Sequence, residues 1–205
     1  MPTPTRPYRG VSARDRKAQR REQLLDAGLE LLGTQGCART TMTAVCVTAK
    51  LTERYFYESF RNRDELLLAV MDRIADQLRD IVLDALERAV GDPAERGRAA
   101  IAAFVEVIEG DQRIGRAALV ESASTEVLRR RRHQLLRTFA QLVVTQAREL
   151  YGADALPSPR DEINALLFIG GLAELIVAWL NGEIDATGDD IVDAAAHQFA
   201  TSMHM

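Results

Sequence analysis

"LTERYFYESFRNRDEL", residues 51–66, gathers four of the chain's eleven aromatic residues, Tyr55, Phe56, Tyr57 and Phe60, among Arg54, Arg61 and Arg63. Phe56 and Phe60 are four apart, so on a helix they share one side and can pin it to its neighbours. Tyr55 is directed elsewhere, and Tyr57 can turn a hydroxyl outward. Rings suit so short a helix because each covers a large apolar area with few torsions to freeze. Thr52 offers an N-cap for this helix, and Asn62, with Glu65 three residues on, offers a capping box for the next.

Outward from this stretch the pattern stays helical. Leu24, Ala27, Gly28, Leu31 and Leu32 recur at helical spacing over about residues 15–32, and Gly33 and Gly36 offer a left-handed stop. Thr40 or Thr41 can cap a second, short helix, whose Met42, Val45, Cys46 and Ala49 share a face. Two short helices separated by a tight break at Lys50–Leu51 have the plan of a helix-turn-helix, in which the second helix enters the DNA major groove. Downstream, Leu67, Val70, Met71, Ile74, Leu78, Ile81 and Leu86 keep the 3.6 period. "DPAE" then supplies Asp92 as cap, Pro93 as first helical residue and Glu95 as box partner. Further helices are predicted to end near Gly110 and to span about residues 125–151, 161–180 and 189–203, with a short segment over about 114–121.

The chain has 205 residues, 47% hydrophobic, with a formal net charge of −4. Ala, Leu, Glu and Arg dominate, which fits an all-α fold. The charge is unevenly spread. Residues 1–63 hold twelve Lys and Arg against six Asp and Glu, whereas residues 64–205 hold fourteen against twenty-four. A basic front on an acidic body is suited to meeting a polyanion with the front alone. Cys37 and Cys46 form neither a disulfide framework nor a metal site, and His133, His197 and His204 stand far apart without a ligand constellation. Nucleophile–base sets, paired carboxylates and phosphate-binding glycine loops are absent from the sequence, so no catalysis, metal or cofactor is expected. No apolar leader follows the start, and a cytoplasmic protein is expected.

Residues 24–66 resemble the DNA-binding domain of the TetR family of bacterial transcriptional regulators. The resemblance is carried by Gly36, Thr40-Thr41, Val45-Cys46, Lys50-Leu51-Thr52, Phe56-Tyr57, Phe60, Arg63 and Asp64-Glu65, and by "AWLNGEI" late in the chain. Two departures stand out. Lys50 occupies a usual turn-glycine position, so the turn either avoids a positive φ or holds Lys50 there at a cost of about 1 kcal/mol. Arg63 replaces a usual lysine, and either cation can hold a phosphate.

The resemblance implies an N-terminal three-helix DNA-binding domain followed by a larger helical ligand-binding and dimerisation domain. The division expected is a disordered basic arm at 1–14, the helix-turn-helix domain at 15–63 and the second domain at 64–205. Thr41, Thr43, Tyr57 and Arg63 are expected on phosphates, with Lys50 as a further candidate. Thr52, Glu53, Arg54 and Tyr55 are expected at base edges, where Glu53 can accept from cytosine and Arg54 can donate to guanine. Phe104, Ile108, Val120, Phe139 and Phe168 are the candidate walls of a small-molecule cavity, with Arg116 and Glu121 as its polar anchors.

The stretch 165–180 is apolar almost all round, but Asn164, Glu174 and Asn181 interrupt or bound it, and a buried dimer helix is expected rather than a membrane span. Leu166, Ile169, Leu172 and Ile176, with Ile191, Ala195 and Phe199 of the last helix, are the candidate dimer residues. "RRRR", residues 129–132, spreads around a helix and is expected to be solvated. Function is therefore expected to be that of a homodimeric repressor, released from a palindromic DNA operator by an apolar effector. The alternative is a helix-turn-helix regulator controlled by a protein partner.

Overall fold

The computed structural model describes residues 12–204. Among them no strand forms; the order is helical throughout, apart from an isolated antiparallel bridge between Ala155 and His204. The basic arm expected at 1–14 lies outside the described residues up to 11. Ser12 and those that follow it depart from the expectation, because the Ser12 hydroxyl and the Asp15 carboxylate form a capping box that starts α1 (Ala13–Gln35) early.

α1 stops at Gly36, whose φ of 83° lies in the region that glycine adopts at least cost. A 3-10 turn (Cys37–Arg39) follows, and the Thr41 side chain then caps α2 (Met42–Ala49) by accepting the Ala44 N–H. α2 ends on Lys50 at φ 54°, ψ 38°. The turn therefore keeps the left-handed geometry and tolerates a Cβ there, at about 1–2 kcal/mol. Thr52 has the extended N-cap backbone before α3 (Glu53–Tyr57), yet its side chain makes no capping hydrogen bond.

α4 (Arg63–Arg88) opens on Asn62, which accepts the Glu65 N–H. The expected reciprocal half of that box is missing, because Glu65 instead accepts from the backbone and side chain of Arg61. α5 (Pro93–Gly110) has the full Asp92–Glu95 box. After it come a single turn α6 (Gln112–Gly115), a π-helical segment (Arg116–Val120) and a 3-10 turn (Glu121–Ala123). α7 (Glu126–Tyr151), α8 (Arg160–Leu180) and α9 (Gly188–Ser202) complete the chain.

One apolar core runs from α1 to α9. Leu24, Leu32, Phe56, Leu66 and Leu67 are fully buried around the first three helices and the start of α4. Each such side chain contributes about 1.5–3 kcal/mol relative to exposure. α4 packs on α5 and α7, α5 on α9, and α7 on α8. Asp161, almost fully buried, accepts from Arg148 and so ties the start of α8 to α7.

The front of the molecule is joined to the rest through α1, which packs on α4, α6 and the π segment. At Gly33 the approach is so close that an added Cβ would stand 2.6 Å from the Arg113 Cβ and 2.7 Å from its Cα. Arg113 also ion-pairs with Glu30 of α1 and Asp111.

The arginine run departs from expectation in part. Arg129 and Arg130 pair with Glu126 of their own helix, as a solvated face would. Arg131 reaches Asp72 of α4 and Arg132 reaches Glu174 of α8, so both act between helices.

Candidate functional site

The outer surface of the helix-turn-helix is set by which side chains the core consumes. Phe56 and Phe60 lie 0% and 2% exposed, with ring centroids 5.8 Å apart, and Val45 and Cys46 are buried beneath α2. This fixes α3 rigidly against α1 and α2. Thr41, Thr43, Lys50, Thr52, Glu53, Arg54 and Tyr57 are left exposed. Arg54 leans on Glu58 one turn along, a surface pair that contributes little and yields readily to a better acceptor. Burial of Cys46 pushes its thiol above the ordinary range.

Two expected surface residues are otherwise engaged. Tyr55 is half-buried, with the Arg20 guanidinium 4.4 Å from its ring centroid and Arg20 itself bonded to Glu58. Arg63 turns inward: its Nη2 donates to the Cys37 carbonyl at 2.5 Å and to Cys37 Sγ at 2.8 Å. It clamps the turn between α1 and α2 instead of standing free. Burial raises the Cys37 thiol above its usual range, against the opposing pull of Arg63. Val47, 73% exposed, and Thr48 beside it join this surface without having been expected there. Val47 lies one turn from Thr43, and its position off the Met42–Val45–Cys46–Ala49 face was the available signal.

Behind this front lies a cavity of about 170 Å³ between α4, α5, α7 and α8. Phe104, Ile108, Phe139 and Phe168 all line it, with Leu78 of α4 and Leu142 of α7. A second recess beside Arg79 and Thr145, between α4 and α7, shares the lining residues Ala75, Leu135, Phe139 and Leu142 with it.

Three of the expected wall residues lie elsewhere. Val120 is half-buried outside the lining, and Arg116 directs Nη1 towards the Leu180 carbonyl at 3.5 Å. Glu121 faces the helix-turn-helix, where it accepts the Cys37 N–H at 2.7 Å, and it also accepts a bond from the Ser124 hydroxyl. Arg132 and Gln146 line the cavity as well, by their apolar stems, so the wall is almost wholly apolar. Both sit on the stripe of α7 that runs through Leu135, Phe139 and Leu142, so the spacing around Phe139 could have found them.

The expected dimer residues also divide differently. Ile176, Ile191, Ala195 and Phe199 are buried within the protomer, and Ile169 and Leu172 face the cavity. Of that set Leu166 is outward, at 49% exposed, joined by Ile163 at 55% and Leu167 at 67%. By length and composition α8 could cross a membrane, with mean hydropathy 2.0 in its most apolar window. Its inner face is consumed by α7 and α9, leaving this one apolar stripe uncovered. Among the described residues no group of three or more His, Cys, Asp or Glu could hold a metal ion.

Residues 24–70 match the model of the bacterial regulatory proteins, tetR family. The HTH-type transcriptional regulator BetI of Rhizobium meliloti is 33% identical over 82 residues, 40% of either protein. The HTH-type transcriptional activator FasR of Mycolicibacterium smegmatis is 37% identical over 93 residues, 45% of this chain and 42% of that protein. The chain thus matches only about two fifths of the length of these curated relatives. Similarity of fold is more extensive. The fatty acid degradation regulator FadR of Bacillus halodurans superposes with TM-score 0.75 at 14% identity, over 91% of this chain and 97% of its own. FadR of Bacillus subtilis in complex with stearoyl-CoA gives TM-score 0.75 at 14% identity, over 89% and 99%. Residues 24–70 are thus similar to the bacterial regulatory proteins of the tetR family, and the chain as a whole shares the fold of these solved regulators.

Proposed function

We propose that this chain is a cytoplasmic, homodimeric DNA-binding transcriptional regulator that leaves a palindromic operator when an apolar small molecule enters the cavity. The observation that carries this reading is the Glu121–Cys37 hydrogen bond. Ala118 and Leu119 belong to the cavity wall, and Glu121 lies two residues beyond Leu119. Anything that displaces that wall displaces the turn from which α2 and α3 are hung.

In this reading residues 15–63 bind DNA and residues 64–205 hold the effector and the second protomer. Thr41, Thr43, Lys50 and Tyr57 hold phosphates, and Thr52, Glu53 and Arg54 meet base edges. Val47 adds an apolar contact. The outward stripe Ile163–Leu166–Leu167 of α8 is the dimer face, and Gly170 and Gly171, with no other atom near a hypothetical Cβ, admit close approach there. BetI and FasR, named as transcriptional regulators, support the DNA-binding half, and the stearoyl-CoA held by the FadR of Bacillus subtilis supports an apolar effector. FasR is named an activator, so activation from the same operator is the second reading.

The test is selection of binding sites from random DNA, followed by a reporter assay. An inverted repeat bound by dimers, with expression rising when the protein is removed, is the expected result. Absence of any selected sequence defeats the proposal, and falling expression on removal favours the activator.

A further inference from the structure

We infer that Arg20 of α1 is a positioning residue for DNA reading: by sharing the Glu58 carboxylate with Arg54, it lets Arg54 leave that carboxylate for a base edge. The inference rests on the reading of α3 as the recognition helix, with Arg54 on a base.

Glu58 closes α3 as its C-cap residue and is half-buried. Its two carboxylate oxygens are divided between two helices. Oε2 accepts from Arg20 Nη2 of α1 at 3.2 Å, and Oε1 stands 3.5 Å from Arg54 Nε of α3. The two cations differ in their surroundings. The Arg54 side chain is 85% exposed, whereas that of Arg20 is 23% exposed. The Arg20 guanidinium lies 4.4 Å from the Tyr55 ring centroid, and its Nε is buried without an acceptor. A guanidinium seated on a ring and bonded to a carboxylate has little surface left for a phosphate.

Electrostatics decide what this arrangement does. With Arg20 in place, Glu58 keeps a partner when Arg54 swings to a guanine edge, so the move gives up only an exposed pair of small worth. Without Arg20, the same move leaves a half-buried carboxylate unpaired, which is unfavourable, and Arg54 is held back on the protein. Tyr55 is next to Arg54 in α3 and is held by the same guanidinium, so the backbone from which Arg54 projects is tied to α1 as well. Arg21, the next residue of α1, is paired instead with Glu22 and lies over the Phe60 ring, which makes it a control of equal charge.

Full-length variants are compared by their affinity for the selected operator and for the same operator with one base pair exchanged. That base pair is the one at which Arg54→Ala relaxes preference. Salt dependence and melting temperature are measured alongside. Arg20→Met is expected to lower the ratio of the two affinities about threefold or more, as coupling within one ion-pair network implies, with the salt slope unchanged. In an Arg54→Ala background it should lower the ratio no further. Adding Glu58→Gln to Arg20→Met should restore much of the ratio, by removing the charge that holds Arg54. Arg21→Met should leave the ratio alone. Should Arg20→Met fail to fold, Arg20→Gln takes its place in each comparison.

A full ratio in Arg20→Met overturns the inference, even with a lower melting temperature, because the contact is then a structural tie only. A uniform loss on all sequences with a salt slope smaller by about one overturns it too, as the mark of a phosphate contact. An equal loss of ratio in Arg21→Met, a further loss in the Arg54→Ala background, or full preference in Arg54→Ala itself has the same consequence. Each of these results leaves the regulator reading standing. A wild type that selects no sequence defeats the regulator reading, and the inference falls with it.

Discussion

The Glu121 carboxylate accepts the backbone N–H of Cys37 at 2.7 Å, while Arg63 holds the carbonyl of the same residue at 2.5 Å. One turn of three residues is thereby gripped from both sides, by the segment after the cavity wall and by the first residue of α4. Gly36, immediately before it, is a tight fit: a Cβ there would stand 3.2 Å from Glu121 Oε1.

Glu121→Ala should therefore lower stability by about 1–3 kcal/mol in urea titration, the usual cost of removing a charged acceptor from a part-buried N–H. Glu121→Gln, which keeps a carbonyl acceptor, should lose less. In operator-binding assays both should keep sequence preference and show a weakened response to effector. An alanine variant with wild-type stability and full response would remove this contact from the coupling.

Arg63→Ala is expected to behave as a stability mutant. Its guanidinium is spent on Cys37, so melting temperature should fall even without DNA. Tyr57→Phe should instead leave the melting curve alone and weaken binding about equally on all sequences, if its hydroxyl holds a phosphate.

Arg54→Ala should cost about 1–3 kcal/mol on the selected site and relax preference at one position per half-site. Half-buried Glu58 keeps its bond from Arg20 when Arg54 is gone, so folding should be unaffected. Unchanged preference at every position would shift base reading to Thr52 and Glu53.

Gly33→Ala places a methyl against the Arg113 backbone at less than 3.0 Å, which neither helix can accommodate without separating. A loss of about 1–3 kcal/mol is expected, as for other overpacked sites. Hydrogen exchange should show faster opening at the α1–α6 contact than in the wild type. Equal protection there would mean that the two helices separate at no cost.

Leu167→Glu, on the outward stripe of α8, should yield a folded monomer in sedimentation, because the charge stays solvated until a second protomer would bury it. Ile176→Glu should unfold the protein altogether, since that side chain is 0% exposed within the protomer. A monomeric wild type would end both the interface and the half-site reading.

Most helix boundaries were written locally, and that is why the sequence alone gave the all-α class, the helix-turn-helix and the order of the long helices. Asp92, Pro93 and Glu95 act within four residues of one another, and the 3.6 period of Leu67, Val70 and Met71 needs no knowledge of the partner helix. Phe56 and Phe60 could be assigned to the core for the same reason. Tertiary structure alone decided three matters. Glu121 and Cys37 are 84 residues apart, so nothing near either one signals their bond, and a charge beside an apolar segment looks the same from sequence whether it faces a cavity or the next domain. α8 is apolar on nearly every side, so its pattern carries no direction, and only packing on α7 and α9 turned Ile176 inward and Leu167 outward. Arg132 was hidden because four consecutive arginines look alike until neighbouring helices bury one stem and leave another in water, and burial is a property of the surroundings rather than of the residue.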